Sequence, residues 1–528
     1  MPNFFQRRNR VVTKMNKARF LWVDDEIDLL KPYILFLEEK GYLMECANNG
    51  RDAIERTKET LFDIIFLDEH MPGLSGLETL NGLHDAAPGI PVVMVTKSED
   101  EGIMNRAIGK KIADYLIKPV RPSQVLLTIK KILDKKTLVS EATTLNYQQT
   151  FNQLSEEADQ CRSAGDWAAL YQKLVYWELE LEQAEFPMKE LHTLQKTEAN
   201  SAFARFIRKS YPQWMMPEAD RPLMSPALFE ETVFPVIARG EKLFFILVDN
   251  FRLDQWQTVK SLFTDLFICE EELYFSILPT ATPYARNSIF SGLMPRQIAL
   301  QFPGVWVDDT EEESKNLHEE ALIRAQLERK QLSPLLSYQK INSNLEAEEL
   351  NKHFPELERN DLHVWVFNFI DTLSHTRTDS KMIRELTADE SAYRSLTKSW
   401  FLHSPLYTLL KKIAAQGYRA VLTTDHGSIR VKNGVKILAD KETNTNLRYK
   451  AGKNLGYEPR KVFEMLHPEN FGLPTPHMST RYIFATQNDF FVYPNNYNHH
   501  LSYYAQSFQH GGISMEEMMV PLITLNPK

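Results

Sequence analysis

Cysteine is scarce: the 528 residues hold three, Cys46, Cys161 and Cys269, widely separated and without a CxxC pair. That excludes a disulfide framework and a cysteine zinc site, and it fits a reducing cytoplasm. No run of eighteen apolar residues occurs, so no membrane-spanning helix is expected. Excess positive charge is missing too. The net charge of −9 argues against a generic nucleic-acid coat, although a local basic groove is compatible with it. Residues 1–14 contain Arg7, Arg8 and Arg10 but no apolar core of a signal peptide; they read as an added tail or an alternative start before Met15. What is present is globular in character, 43% hydrophobic and 25% charged, and too long for one compact domain. About three domains are expected.

From Ala18 to about Leu133 short apolar strands alternate with helical stretches. Candidate strands are 20–23, 43–46, 64–67, 92–95 and 115–117, which implies a doubly wound five-stranded parallel sheet. Asp24 and Asp25 follow the first strand, Asp68 the third, Thr96 the fourth and Lys118 the fifth. Carboxylates converging at the C-terminal edge make a hard oxygen site suited to Mg²⁺, beside which a lysine and a threonine can hold a phosphoryl group. The constellation resembles the receiver domain of bacterial response regulators, here over 15–136, and implies a flavodoxin-like fold. By that resemblance Asp68 accepts the phosphoryl group, Asp24 and Asp25 help hold Mg²⁺, Thr96 and Lys118 contact its oxygens, and Tyr115 swings inward on activation.

Residues 137–226 are dense in Leu, Glu, Gln, Lys and Ala, with apolar residues at helical spacing, so a small central helical bundle is expected. Trp167, Tyr171, Tyr176 and Trp177 are expected in its core or at an interface. Four prolines between Tyr211 and Pro226 read as a linker. No basic recognition helix is evident.

Over 227–528, apolar strands end repeatedly in metal-ligand residues. Leu243–Val248 runs into Asp249, Val364–Ile370 into Asp371 and His375, and Ala420–Thr424 into Asp425 and His426; Tyr274–Leu278 delivers a loop carrying Thr280 and Thr282. One sheet with a shared site along its C-terminal edge is expected. A threonine hydroxyl is a poor nucleophile unless a metal lowers its pKa. Imidazole and carboxylate without cysteine suit catalytic zinc, and two such metals about 4 Å apart can clamp a phosphoryl group. The acidic run at 308–315 reads as a solvated face. Residues 433–453, with Lys436, Lys441, Arg448, Lys450 and Lys453, read either as a surface loop or as a lid over an anionic substrate.

The segments Val248–Arg252, Pro279–Pro283, Asp371–His375, Asp425–Gly427 and His510–Ser514 resemble, in order, the motifs of the PglZ branch of the alkaline phosphatase superfamily. The resemblance implies an alkaline-phosphatase-like α/β sandwich with Thr282 as nucleophile and Thr280 as its rival. It places Asp249, Thr282, Asp425 and His426 around one zinc, and Asp371, His375 and His510 around the other. Asn250 departs from related phosphodiesterases, which often have Gly there; its side chain could point a donor at phosphate or cap a turn. Arg286 and Asn287 are either phosphate contacts or helix surface. His499 and His500 match no motif.

The whole order of domains resembles the PorX-type response regulators of type IX secretion. That resemblance implies a sensor histidine kinase as partner, a phosphorylation-dependent homodimer, and contacts to a sigma factor and secretion-motor proteins. The leading expectation is a phosphorylation-controlled, zinc-dependent phosphodiesterase or phosphatase acting on phosphate esters such as linear or cyclic nucleotides. Its rivals are a catalytically vestigial zinc scaffold for secretion or transcription partners, and a DNA-binding transcriptional regulator.

Overall fold

The computed structural model describes residues 18–528 apart from 88, 98–111, 119, 121, 184–185, 217, 308–315, 358, 380, 388 and 441–442. The leading tail, the acidic run at 308–315 and Lys441 therefore lie outside the described residues. The chain forms two compact units, residues 1–142 and 143–528. No described helix is long and apolar enough to cross a membrane.

In the first unit the strands are Arg19–Val23, Leu43–Ala47, Ile64–Asp68, Val92–Thr96 and Asp114–Ile117. All are parallel, in the spatial order 2-1-3-4-5. Period-two alternation divides their side chains between two cores. Phe20, Trp22, Ile64, Phe66, Val93 and Val95 pack with Leu30 and Leu37 of the Ile27–Glu39 helix and with Val125 and Ile129. Leu21, Val23, Ile65, Leu67, Val92 and Met94 pack with Ala53, Leu80 and Leu83 of the helices Gly50–Glu59 and Gly76–Ala86. Both faces are covered, so all five strands point their C-terminal ends at one open edge.

The second unit is built on a six-stranded sheet. In spatial order its strands are Phe267–Phe275, Met519–Pro527, Arg419–Thr423, Leu243–Val248, Leu362–Phe367 and Leu336–Ile341. Only Met519–Pro527 runs against the rest. The strand placed at 274–278 by sequence instead ends at Phe275, where its partner begins at Met519. Two strands had no sequence signal of their own. Leu336–Ile341 has a mixed polar pattern, and Met519–Pro527 contains Pro521 and Pro527, which demote a strand reading.

Helices Ala164–Glu180 and Phe186–Trp214, with Tyr147 and Leu154 of the Pro122–Gln160 helix, form the bundle. Trp167 and Tyr171 are core, Trp177 packs against Tyr147, and Tyr176 is exposed. The bundle shares one continuous core with Phe244, Ile246, Val248 and Trp365 of the sheet, so it is not a separate body. The stretch read as a linker is likewise anchored. Tyr211 and Trp214 are buried at the end of the Phe186–Trp214 helix, and the Phe275 amide donates to the Leu223 carbonyl. The apolar stripe through Phe203, Ile207 and Tyr211 outweighs Pro212, which falls in the last turn. Residues 433–453 are not wholly a surface loop: strands Asn433–Lys436 and Tyr449–Gly452 lie in small sheets, with Arg448 and Lys450 buried.

Charge also bridges the bundle and the sheet domain. Buried Arg394 lies 2.7 Å from both Glu178 and Glu182 of the bundle and 3.1 Å from Asp254. Removing a buried partner strands the opposite charges, at a cost of about 3–5 kcal/mol. Arg394→Met is expected to lower the unfolding free energy of the second unit by about that much in urea titrations; a loss below about 1 kcal/mol would show these pairs behaving as surface ion pairs.

Candidate active site

In the first unit, Asp24, Asp25 and Asp68 bring carboxylate oxygens within 4.8 Å of one another. Lys118 Nζ lies 2.7 Å from Asp24 Oδ2 and 3.1 Å from Asp68 Oδ2. Burial, reinforced by the Asp24 charge, pushes the Asp68 carboxyl above its usual range against the pull of Lys118. Burial lowers the Lys118 ammonium, but its bond to Asp24 and the charge of Asp68 outweigh that and raise it. Asp68 Oδ1 is buried and makes no hydrogen bond, as suits an oxygen that faces a hard cation. Thr96 is buried at the end of its strand, and Tyr115 turns its ring outward, 37% exposed.

In the second unit, strand ends, loops and the helices Phe369–Asp379 and Thr282–Ser291 bring all seven expected residues together. Asp249, Asp425 and His426 form one cluster and Asp371, His375 and His510 another, each with ligand atoms within 4.8 Å. His426 Nε2 is 3.7 Å from Asp249 Oδ1 and 3.9 Å from Asp425 Oδ2. Asp371 and His375 sit four residues apart on the Phe369–Asp379 helix, with His375 Nε2 3.5 Å from Asp371 Oδ1. His510 Nε2 is 3.7 Å from the same oxygen. The two clusters adjoin through the stacked rings of His426 and His510, 4.2 Å apart.

The donor set fits divalent metal. Asp249 Oδ1 is buried without a hydrogen bond. His426 Nδ1 lies 3.1 Å from the Gly427 carbonyl and His510 Nδ1 3.2 Å from the Thr280 carbonyl, which leaves Nε2 of each turned to the site. Burial, then the neighbouring imidazoles, hold His510 well below the ordinary histidine range, in the neutral form that ligates metal. Burial, with Asp425 and Asp371 nearby, raises Asp249 despite Arg286. Asp425 is held at about 2: burial opposes ionisation, but Arg286 and His426 prevail.

The two threonines differ. Thr280 Oγ1 donates to the Gly512 carbonyl at 2.9 Å and accepts from the Gly511 amide at 3.1 Å, fully buried. Thr282, first residue of the Thr282–Ser291 helix, presents Oγ1 3.0 Å from His426 Nε2. Pro283 fits the first turn, where no amide partner is needed. Gly427 is required by contact: a Cβ there would meet the Glu516 carbonyl oxygen at 2.0 Å.

Arg286 is neither a phosphate contact nor helix surface. Its buried guanidinium pairs with Asp249, lies 3.0 Å from Asp425 and 3.3 Å from Glu319, and donates to Asn368. Sequence offered one hint, its position one turn after Thr282. Asn287 donates to the Pro283 carbonyl. Asn250 has φ 62°, the left-handed region that favours Gly. It is buried and its Nδ2 donates to Ser374 Oγ at 3.1 Å and to Asp371 at 3.4 Å, so its donor serves the second cluster. His499 and His500 lie on the Tyr497–Tyr504 helix, outside both clusters.

Three family models match the chain in succession: the response regulator receiver domain over residues 20–130, the PorX response regulator linker domain over 137–215, and the BREX system PglZ alkaline phosphatase-like domain over 228–525. Among curated proteins, the transcriptional regulatory protein ResD of Bacillus subtilis (strain 168) is 29% identical over 154 residues, 29% of this chain and 64% of ResD. The alginate biosynthesis transcriptional regulatory protein AlgB of Pseudomonas syringae pv. tomato is 34% identical over 130 residues, 25% of this chain and 29% of AlgB. The chain thus spans less than two thirds of either relative. Among solved structures, a CheY-like receiver domain protein from Methanospirillum hungatei JF-1 shows 28% identity over 22% of this chain and 95% of its own, with a TM-score of 0.22.

The left-handed backbone at position 250 makes a test. A side chain with a Cβ but no local hydrogen bond is strained there, whereas Gly is not. Asn250→Ala is expected to destabilise the second unit by about 1 kcal/mol more than Asn250→Gly, read by denaturant unfolding; the reverse order would contradict the strain.

Proposed function

The chain belongs to the PglZ family of alkaline phosphatase-like domains, and from that membership we propose a phosphorylation-controlled, zinc-dependent phosphodiesterase or phosphatase. Its receiver marks it as a response regulator, whose phosphoryl donor is a sensor histidine kinase. The single observation that carries the catalytic reading is Thr282 Oγ1 at 3.0 Å from His426 Nε2, beside two adjoining ligand clusters.

Asp249, Asp425, His426 and Thr282 would hold one zinc, and Asp371, His375 and His510 the other. Bound there, zinc supplies Lewis acidity, which lowers the hydroxyl pKa and offsets charge on phosphoryl oxygens. Thr282 Oγ1 gives its proton to solvent and bonds to phosphorus as the bond to the leaving oxygen breaks, that oxygen taking up a proton from solvent. Water oxygen then bonds to phosphorus as the Oγ1–P bond breaks, and Oγ1 regains a proton. Thr282 opens a ten-residue helix, whose N-terminal end favours the negative charge of the phosphoryl group. Arg286 serves the ligand carboxylates rather than phosphate, with its donors directed at Asp249, Asp425, Glu319 and the Asn368 side-chain oxygen. Diesters, such as linear or cyclic nucleotides, are the favoured substrates. Phosphorylation at Asp68, with Mg²⁺ held by Asp24, Asp25 and Asp68, would shift the receiver toward a dimerising form. The setting is the cytoplasmic control of type IX secretion, with a sigma factor and secretion-motor proteins as partners.

Thr282→Ala should reduce phosphodiester hydrolysis by several orders of magnitude, with two zinc ions per chain retained by elemental analysis. Equal, negligible rates in both proteins would point to a scaffold instead. Asp68→Ala should abolish dimerisation by a small phosphodonor, read by light scattering, with zinc content unchanged; zinc loss in that variant would refute a modular switch.

A further inference from the structure

The helix Phe186–Trp214 lies within the linker match as far as residue 215, outside the PglZ match, yet one face of it reaches two loops of the candidate site. Residues 200, 203, 207, 211 and 214 recur at helical spacing, so they share that face. Asn200, Phe203, Ile207, Tyr211 and Trp214 are all buried. Phe203 and Trp214 pack on Phe275, the last residue of the strand before the Thr282 loop.

The polar members of the face make directed bonds. The Leu278 amide donates to Tyr211 Oη at 2.9 Å, four residues before Thr282. Tyr211 is fully buried. Without that oxygen, a buried amide at the base of the loop would have lost its partner. Asn200 uses both ends of its amide on the segment after His510. Its Oδ1 accepts from the Met515 amide at 2.8 Å, and its Nδ2 donates to Glu516 Oε2 at 2.9 Å. Lys196, one turn earlier, lies 3.0 Å from Glu516 Oε1.

The gripped segment is tied to both clusters. Ser514 and Gly512, in the His510 loop, bond to Glu517. The Gly427 amide, next to His426, donates to the Glu517 carbonyl at 3.2 Å. Glu517 in turn is fixed by buried Arg448 at 2.6 Å.

We infer that Asn200 and Tyr211 are positioning residues, Asn200 for His510 and Tyr211 for Thr282, so that the linker helix is a working wall of the active site. The inference rests on the roles proposed above for Thr282 and His510. It places on one rigid element the two contacts that set nucleophile and ligand relative to each other, and the PglZ-type segment alone is then an incomplete site.

The full chain tests it with Tyr211→Phe, which keeps the ring and removes one oxygen, and Asn200→Ala. Hydrogen exchange followed by mass spectrometry reads the loops directly. Tyr211→Phe is expected to speed exchange in peptides covering 276–281 and to lower kcat on a generic phosphodiester about tenfold or more, with KM and zinc content held. Asn200→Ala is expected to speed exchange in peptides covering 508–518 and to weaken zinc binding about tenfold to a hundredfold in chelator competition. Unchanged exchange at each loop, with wild-type kcat and zinc affinity, would overturn the inference. So would exchange raised across the whole second unit, the mark of a merely structural role. If the wild type itself turns over no phosphodiester, the reading of Thr282 fails, and the exchange and zinc measurements still decide the positioning.

Discussion

The buried guanidinium of Arg286 is the interaction on which the metal edge depends. Asp249, Asp425 and Glu319 are all buried within reach of it. Carboxylates so placed would repel one another in a medium that screens poorly, and removing their counter-charge would be costly. One arginine, approached from behind the ligand cluster, makes their convergence tolerable. It does not make the site neutral. Asp371 adds another carboxylate, and the His510 imidazole, kept neutral by burial, offers a lone pair rather than charge. The carboxylate oxygens and imidazole nitrogens gathered at that edge suit a divalent cation.

This arrangement explains why the motifs were legible in sequence and Arg286 was not. Asp249 and the receiver acids each come after a short apolar run, and Asp425 after one that ends in two threonines; such runs are strands buried on both faces. A parallel sheet then brings the residues just past its strands together at one edge. Nothing comparable announces a buried arginine. Arg286, Arg448 and Lys450 look like solvent-facing charges until distant carboxylates and carbonyls are brought to them. Tyr211 and Asn200 carry even less local signal, because their partners lie at Leu278 and at Met515 and Glu516, far along the chain. Met519–Pro527 was hidden for a different reason, since its prolines argue against a strand that long pairing nevertheless stabilises.

Bundle and sheet meet over aromatic and aliphatic residues in one core, and their ion pairs cross the same boundary at Arg394 and Lys196. A joint of that kind is stiff. Small displacements in a close-packed interior are not absorbed locally but are passed between neighbours. The helices from Ala164 to Trp214 and the sheet behind the metal edge thus form one packed core rather than two bodies joined by a flexible tether.

The two phosphate-type sites solve the same electrostatic problem with opposite degrees of commitment. In the receiver, Lys118 lies against Asp24 and Asp68 while its side chain keeps 17% of its surface in solvent. It can move with little loss of packing, and its ammonium has rotatable donors. In the second unit, the Arg286 side chain is 1% exposed and its planar fork serves Asp249, Asp425, Glu319 and Asn368 together. Moving it would strand several buried acceptors at once. The lysine is thus held loosely among its carboxylates, and the arginine is locked among its own.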